Sequence, residues 1–321
     1  MSNNITQRNH YLPQQYQLGF ANQDTVWVYD RENDSYRNGH PKNVGIQNDF
    51  YTVAEENGQP SDKVEKIFTM LEGKVWPVID RLDARKEQWE TEDRLNVSLF
   101  VAFFKTRVPA FDKEQNNFTE DFFRWWSKAT NPSPQAVVES LQKATEKNVS
   151  LEEATELFRT IRDDEYEIEN PRQNNIKMML SLALEIAEAL VGMQWTVFWS
   201  PQDSTFITSD NPFVLIPPPE FDHSLSGVGI LTAGATSLIP LSKQTLLCLR
   251  NGDDSVIYRE ARRDFVRNVN RCVAANSDRF IIARDEALLR SLVGKIKANQ
   301  WRNKFKVAFH APDPYGNSRS G

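Results

Sequence analysis

The sequence predicts an α+β fold: an antiparallel sheet formed by N- and C-terminal strands, with a large helical block at about 61–193 between them. Three observations predict it. Residues 9–53 and 194–250 carry short β-branched and aromatic runs broken by turn residues. Residues 61–193 switch to apolar spacings of three and four. The later strand-like runs follow one another directly, which favours antiparallel pairing over a βαβ pattern. The 321 residues read as a single α+β domain over 1–310 with the block 61–193 as a helical insertion, followed by a disordered tail at 311–321.

Each element has its own signal. Thr25-Val26-Trp27-Val28-Tyr29 is a β-branched and aromatic strand closed by the turn cluster Asp30–Ser35. Asn43-Val44-Gly45 and Phe50-Tyr51-Thr52-Val53 read as further short strands. Val64, Ile67, Phe68, Leu71, Val75, Val78 and Leu82 share one helical face. Asp62 stands three residues before Glu65 as in a capping box, and Pro77 is a kink position. A helix over about 91–107 is apolar nearly all round, and Pro109 ends it. Phe122, Phe123, Trp125 and Trp126 make an aromatic patch on a short helix. Ser150 with Glu153 forms a capping box. Asn170-Pro171 opens a helix that runs to Val191, with Gly192 beyond it. Strands are predicted at 195–199, 205–209, 213–216, 236–241 and 245–250, with a long loop at 217–235. Helices at about 261–276 and 285–299 flank a last strand at 279–284.

Composition narrows the class. Apolar residues at 40% and aromatics at 11% supply a real core and exclude a wholly disordered chain. The two cysteines, Cys248 and Cys272, lie among apolar neighbours at a spacing that fits no zinc or redox motif, so they read as buried thiols. The polar start lacks an apolar core for a secretory signal, and no run reaches membrane-spanning length. A cytoplasmic protein with no membrane partner is expected. The net charge of −6 is uneven: residues 241–321 hold 16 Lys and Arg against 8 Asp and Glu.

Several polar residues are candidates for chemistry. His10 can serve as a general base or metal ligand, or simply pack an N-terminal turn. Asp210 and Asn211 follow a strand, where a sheet can aim a carboxylate and an amide; Asp-Asn-Pro is also ordinary turn chemistry. Arg107 closes an apolar helix and needs a carboxylate or a bound phosphate. Glu65 and Glu72 lie two turns apart beside an apolar stripe, suited to metal binding or to solvent. Arg259, Arg263, Arg267 and Arg271 recur every four residues. On one helix they make a stripe for phosphates, or a match for the acidic N-terminal part. Gly227, Gly229 and Gly234 fit neither a Rossmann nor a Walker pattern, which disfavours ATP- or NAD-driven chemistry.

Taken together, these segments resemble a family. Arg8-Asn9-His10-Tyr11-Leu12-Pro13 with Tyr16 and Phe20, Val26–Asp30, Lys42-Asn43-Val44-Gly45 and Asp49-Phe50-Tyr51 form the first part of the pattern. The Glu65 and Glu72 helix, Arg107 with Pro109, Phe206–Pro212 and Ile239-Pro240-Leu241-Ser242 complete it. The pattern resembles a widespread family of bacterial and fungal proteins known only as a domain of unknown function, over about 8–285. The resemblance implies no activity or cofactor. It places His10, Glu65, Glu72, Arg107, Asp210 and Asn211 at motif positions.

The expected function is metal-assisted phosphodiester hydrolysis, nuclease-like, in the manner of a toxin or phage-defence effector. His10, Asp210, Asn211 and Arg107 would be catalytic, and Glu65, Glu72 and Asp210 would hold Mg²⁺ or Mn²⁺. Arg259, Arg263, Arg267 and Arg271 would grip nucleic acid or a nucleotide. The alternative is a non-enzymatic sensor module, binding a ligand or protein partner through Trp125 and Trp126 or the 217–235 loop.

Overall fold

A computed structural model describes residues 8–54, 60–90, 92–145, 148–221 and 227–298. The tail expected at 311–321 lies outside these, as do residues 222–226 of the predicted 217–235 loop. The chain forms two compact units: one from the described residues of 1–109 and 178–321, the other Ala110–Lys177.

In the larger unit the chain begins with β1 (Arg8–His10), α1 (Gln14–Leu18), β2 (Val26–Asp30), β3 (Ser35–Gly39), a 3₁₀ turn at Pro41–Asn43 and β4 (Ile46–Asn48). The short β5 (Val53–Ala54) and β6 (Pro60–Ser61) precede α2 (Lys63–Asp83) and α3 (Asp93–Thr106). The smaller unit holds most of α4 (Pro109–Thr130), then α5 (Pro134–Thr145), α6 (Leu151–Arg162) and the start of α7 (Arg172–Val191). The chain continues through β7 (Gln194–Trp199), β8 (Thr208–Ser209), β9 (Val214–Ile216), β10 (Thr236–Pro240), β11 (Thr245–Arg250) and β12 (Val256–Glu260). It closes with α8 (Arg263–Asn276), β13 (Phe280–Ala283) and α9 (Glu286–Ala298).

The protein is α+β, and its N-terminal strands do join C-terminal ones. One sheet has the order β3-β2-β13-β8, with β2 antiparallel to β13 and Val28 opposite Ile282. The other runs β12-β7-β11-β10-β9 and is antiparallel except for β12, which lies parallel to β7. β1 instead pairs with β4, His10 opposite Ile46.

The apolar face of α8 explains the arrangement. Phe265, Val266, Val269, Cys272 and Val273 form one cluster with residues of both sheets and with Leu289, Leu292 and Val293 of α9. Each such side chain contributes roughly 1.5–3 kcal/mol on full burial. Cys248 and Cys272 are buried free thiols within it, as expected. A second apolar centre forms where Tyr16 packs against Phe104 at 4.4 Å and Phe104 against Phe100 at 4.6 Å. The Tyr16 hydroxyl donates to the Pro240 carbonyl at 2.7 Å and shares a 2.7 Å bond with Thr208, tying α1 to two sheets.

Local departures from the expected elements have local causes. The strand expected at 43–45 does not form: a 3₁₀ turn at Pro41–Asn43 precedes a bend at 44–45, because Pro41 pre-sets the turn and the His40 ring accepts from the Lys42 amide at 3.2 Å. Gly45 follows at φ +66°, and a Cβ there would stand 2.7 Å from the Cβ of Leu12. Asp62 and Glu65 form no capping box; Asp62 pairs with Lys66 at 2.8 Å, which leaves Glu65 to face β1. Pro109 both follows α3 and opens α4, where its missing N–H costs nothing. That helix is 22 residues long rather than short. The capping box of Ser150 and Glu153 is formed.

Candidate functional site

The motif residues gather first around Arg107. It caps the C-terminus of α3 and is almost fully buried, 3% exposed. Its Nη2 donates to the His10 carbonyl at 2.8 Å, its Nε to the Tyr11 carbonyl at 3.0 Å and its Nη1 to Glu72 at 3.1 Å. The guanidinium lies over the Phe68 ring at 4.2 Å, where a cation gains from the ring's negative face. Tyr51 closes the arrangement by donating to the Arg107 carbonyl at 2.6 Å. Asn9 accepts from the Tyr51 amide at 3.2 Å and reaches Glu65 at 3.4 Å. His10, Glu65, Glu72 and Arg107 are therefore brought together, with β1 clasped to α2 and α3.

His10 joins the clasp through its main chain, while its ring Nε2 is buried without a hydrogen-bond partner. Burial pushes the imidazole below its ordinary value; a bond to the Lys42 main chain opposes this, and the charges of Arg8 and Arg107 add to it. Burial raises the Glu65 carboxyl, against the pull of Arg107.

Asp210 occupies a second polar cluster. Its carboxylate accepts from the amides of Asp278 at 2.9 Å, Arg279 at 2.7 Å and Phe280 at 2.9 Å, fixing the turn between α8 and β13. Burial and the neighbouring Asp278 outweigh the amides and push the carboxyl up to about 6. Tyr11 links the clusters: its carbonyl takes the Arg107 bond, and burial and the Asp210 charge both raise its hydroxyl pKa. Beside Asp210, Arg279 pairs with Asp30 at 2.8 Å and Glu32 at 2.9 Å. Burial works against ionisation of Asp30, yet Arg279 and Asn33 hold its carboxyl down at about 2. Asn211 forms a reciprocal pair with Asn276. Its side chain donates to the Asn276 carbonyl at 3.1 Å, and the Asn276 side chain donates back to the Asn211 carbonyl at 2.8 Å.

The carboxylates named for a metal thus have other partners: Glu65 meets Asn9, Glu72 meets Arg107 and Asp210 meets three amides. Among the described residues, no group of three or more His, Cys, Asp or Glu comes together to hold a metal ion.

The arginine stripe is corrected in one respect. Arg259 lies on β12, opposite Phe198 of β7, because the chain stays extended to Glu260 and α8 starts only at Arg263. Arg263, Arg267 and Arg271 do lie on α8, and they line a cleft of about 390 Å³ between α8 and α9. Arg284 and Lys295 complete the cationic lining, while Asp203 and Asp285 bring two carboxylates. Arg263 pairs with Asp203, and Arg284 with Asp285 at 3.1 Å. Among the described residues Arg267 and Lys295 make no ion pair, and Arg271 reaches Asn268 at 3.5 Å. Asn270, also on α8, ties the cleft lining to the segment at 205–207: it donates to the Thr205 carbonyl at 2.8 Å and accepts from the Ile207 amide at 3.0 Å.

Sequence reasoning missed Arg284, Lys295 and Asn270. The first two contribute to the basic C-terminal part, but no helical period links them to α8; only the packing of α9 brings them in. Trp125 and Trp126 are exposed on α4, at 65% and 47%. Among the described residues no helix is long and apolar enough to cross a membrane.

A chain whose N-terminal motif folds as a clasp and whose second motif fixes the turn into β13 defines an α+β domain class. The chain belongs to the family described as "Protein of unknown function (DUF4238)", which matches residues 8–287. No curated protein and no solved structure matches it.

Proposed function

We propose that this protein is a non-enzymatic module that binds a phosphate-bearing ligand, a nucleotide or nucleic acid, in the cleft between α8 and α9. One observation carries the reading: Arg267, Arg271 and Lys295 line a cleft of ligand size without being paired to carboxylates among the described residues. Guanidinium groups match phosphate oxygens in charge and in fork geometry. The motif residues around Arg107 and Asp210 are engaged in bonds that hold the fold, which fits a binding scaffold better than a reaction centre.

Binding of ATP and of a short oligothymidylate, measured at about 50 and about 200 mM salt, tests this. Affinity should fall with salt and be lost in the Arg267→Ala/Arg271→Ala double variant. Affinity that survives both substitutions overturns the reading.

A phosphodiester hydrolase is the second reading, favoured by one observation: the buried His10 Nε2 has no partner and its imidazole is biased towards the neutral, basic form. A nuclease assay with Mg²⁺ or Mn²⁺ on wild type, His10→Ala and Asp210→Ala tests it. Equal cleavage by all three removes both residues from any mechanism.

A further inference from the structure

We infer that the cleft between α8 and α9 takes the terminal phosphate of a compact small molecule, a phosphate monoester, rather than the internal phosphodiesters of a strand. The inference rests on the phosphate-binding reading above and names its ligand class.

The charge balance of the lining is the first argument. Arg263 and Arg284 are matched by Asp203 and Asp285. Arg267, Arg271 and Lys295 remain, three cations with no carboxylate partner among the described residues. A monoester phosphate carries close to two negative charges at neutral pH, with its second ionisation near a pH of about 6. An internal diester carries one. Three cations in one cleft suit a localised dianion better than the spaced single charges of a backbone.

Shape and lining give the second argument. At about 390 Å³ the cleft lies near the small end of the range for small-molecule sites, about 300–1,000 Å³. Val266, Leu288 and Leu292 supply an apolar wall for the body of a ligand. Ser204 and Thr205 of the β7–β8 connection also line it. Tracking a strand calls for a cationic path that continues along the surface. Here Arg259, the fourth arginine of the sequence pattern, stands apart on β12, and Asp203 and Asp285 stand within the lining.

Calorimetry on the full chain at low salt, with four probes, tests the inference. The probes are inorganic phosphate, ribose 5-phosphate, dimethyl phosphate and an oligothymidylate with a 5′-hydroxyl end. Ribose 5-phosphate should bind at least about tenfold more tightly than dimethyl phosphate and than the oligonucleotide. Its affinity should fall as pH drops through about 6, where the monoester loses its second charge, while dimethyl phosphate shows no such step. Inorganic phosphate should compete with ribose 5-phosphate, and Arg267→Ala should weaken ribose 5-phosphate binding without moving the urea midpoint. If the oligonucleotide or dimethyl phosphate binds as tightly as the monoester, this inference fails and the broader phosphate-binding reading stands. If no probe binds, both fail.

Discussion

Arg107 and Arg267 are both helix-associated arginines, and the fold treats them in opposite ways. Arg107 is only 3% exposed, and its guanidinium meets two carbonyls, a carboxylate and an aromatic face. Arg267 is exposed on α8, lines a cleft and makes no ion pair among the described residues. A buried cation has to be satisfied from within the protein, because leaving it unpaired costs several kcal/mol. An exposed one is solvated and free to meet a ligand. The motif position is thus explained by folding, and the position outside the motif is the better candidate for recognition.

The largest effect that separates the two regions is expected at Arg107. Arg107→Ala leaves Glu72 without its ion-pair partner and two carbonyls without donors. Stability should fall by about 3–5 kcal/mol, read as a drop in the urea midpoint. A loss below about 1 kcal/mol would show that the clasp is not what holds β1 to the helices.

Asp210→Asn comes next. An amide oxygen accepts fewer of the three N–H bonds from 278–280, and its own NH₂ faces donors, so a loss of about 1–3 kcal/mol is expected. The pH dependence has a definite sign. The folded-state pKa of about 6 lies above the ordinary 3.8, so the folded protein holds the proton more tightly. The stability from this group is present below about pH 4 and is lost as pH rises through about 6. The advantage of wild type over Asp210→Asn in denaturant titrations should narrow across that window. A widening would mean that the three amides, not burial, dominate the carboxylate.

His10→Ala probes the clasp from its other side. The main-chain carbonyl carries the bond to Arg107 and survives the substitution, while the ring Nε2 has no bond to lose. A loss of about 1 kcal/mol, from packing and from the ring's bond to the Lys42 main chain, is expected. The imidazole pKa is held below 6.5, so its contribution is present above that value and is lost as pH falls through the depressed pKa. His10→Ala should flatten the acid limb of the stability profile. A much larger loss at neutral pH would give the ring a structural role its contacts do not indicate.

How much of this was legible in the sequence follows the range of the interactions. Val26–Asp30, α2, α3 and the capping box of α6 rest on local periodicity and propensity, so they could be read directly. The gathering of His10, Glu65, Glu72 and Arg107 was reachable only through the family pattern, since these residues are scattered over almost 100 positions. The apolar neighbours of Cys248 and Cys272 indicated their burial. The end of the arginine stripe was misread because a four-residue recurrence is equally compatible with a helix throughout and with a strand that ends just before one. Arg259 on β12 is that case. Arg284 and Lys295 carried no signal, because the packing of α9 against α8 is a tertiary event.

The smallest expected effect on stability tests the contrast most sharply. Arg267 is exposed and unpaired among the described residues, so Arg267→Ala removes no internal bond, and the urea midpoint should stay within about 0.5 kcal/mol of wild type. Its neighbour Asn270 differs. Only 2% exposed, it holds both Thr205 and Ile207, so Asn270→Ala should cost about 1–3 kcal/mol and loosen the cleft wall as well. A cleft kept for binding predicts that the two variants part company: both lose affinity for a phosphate monoester, and only Asn270→Ala loses stability. If Arg267→Ala proves as destabilising as Asn270→Ala, then Arg267 is a structural residue like Arg107, and the distinction between an engaged and an available arginine collapses.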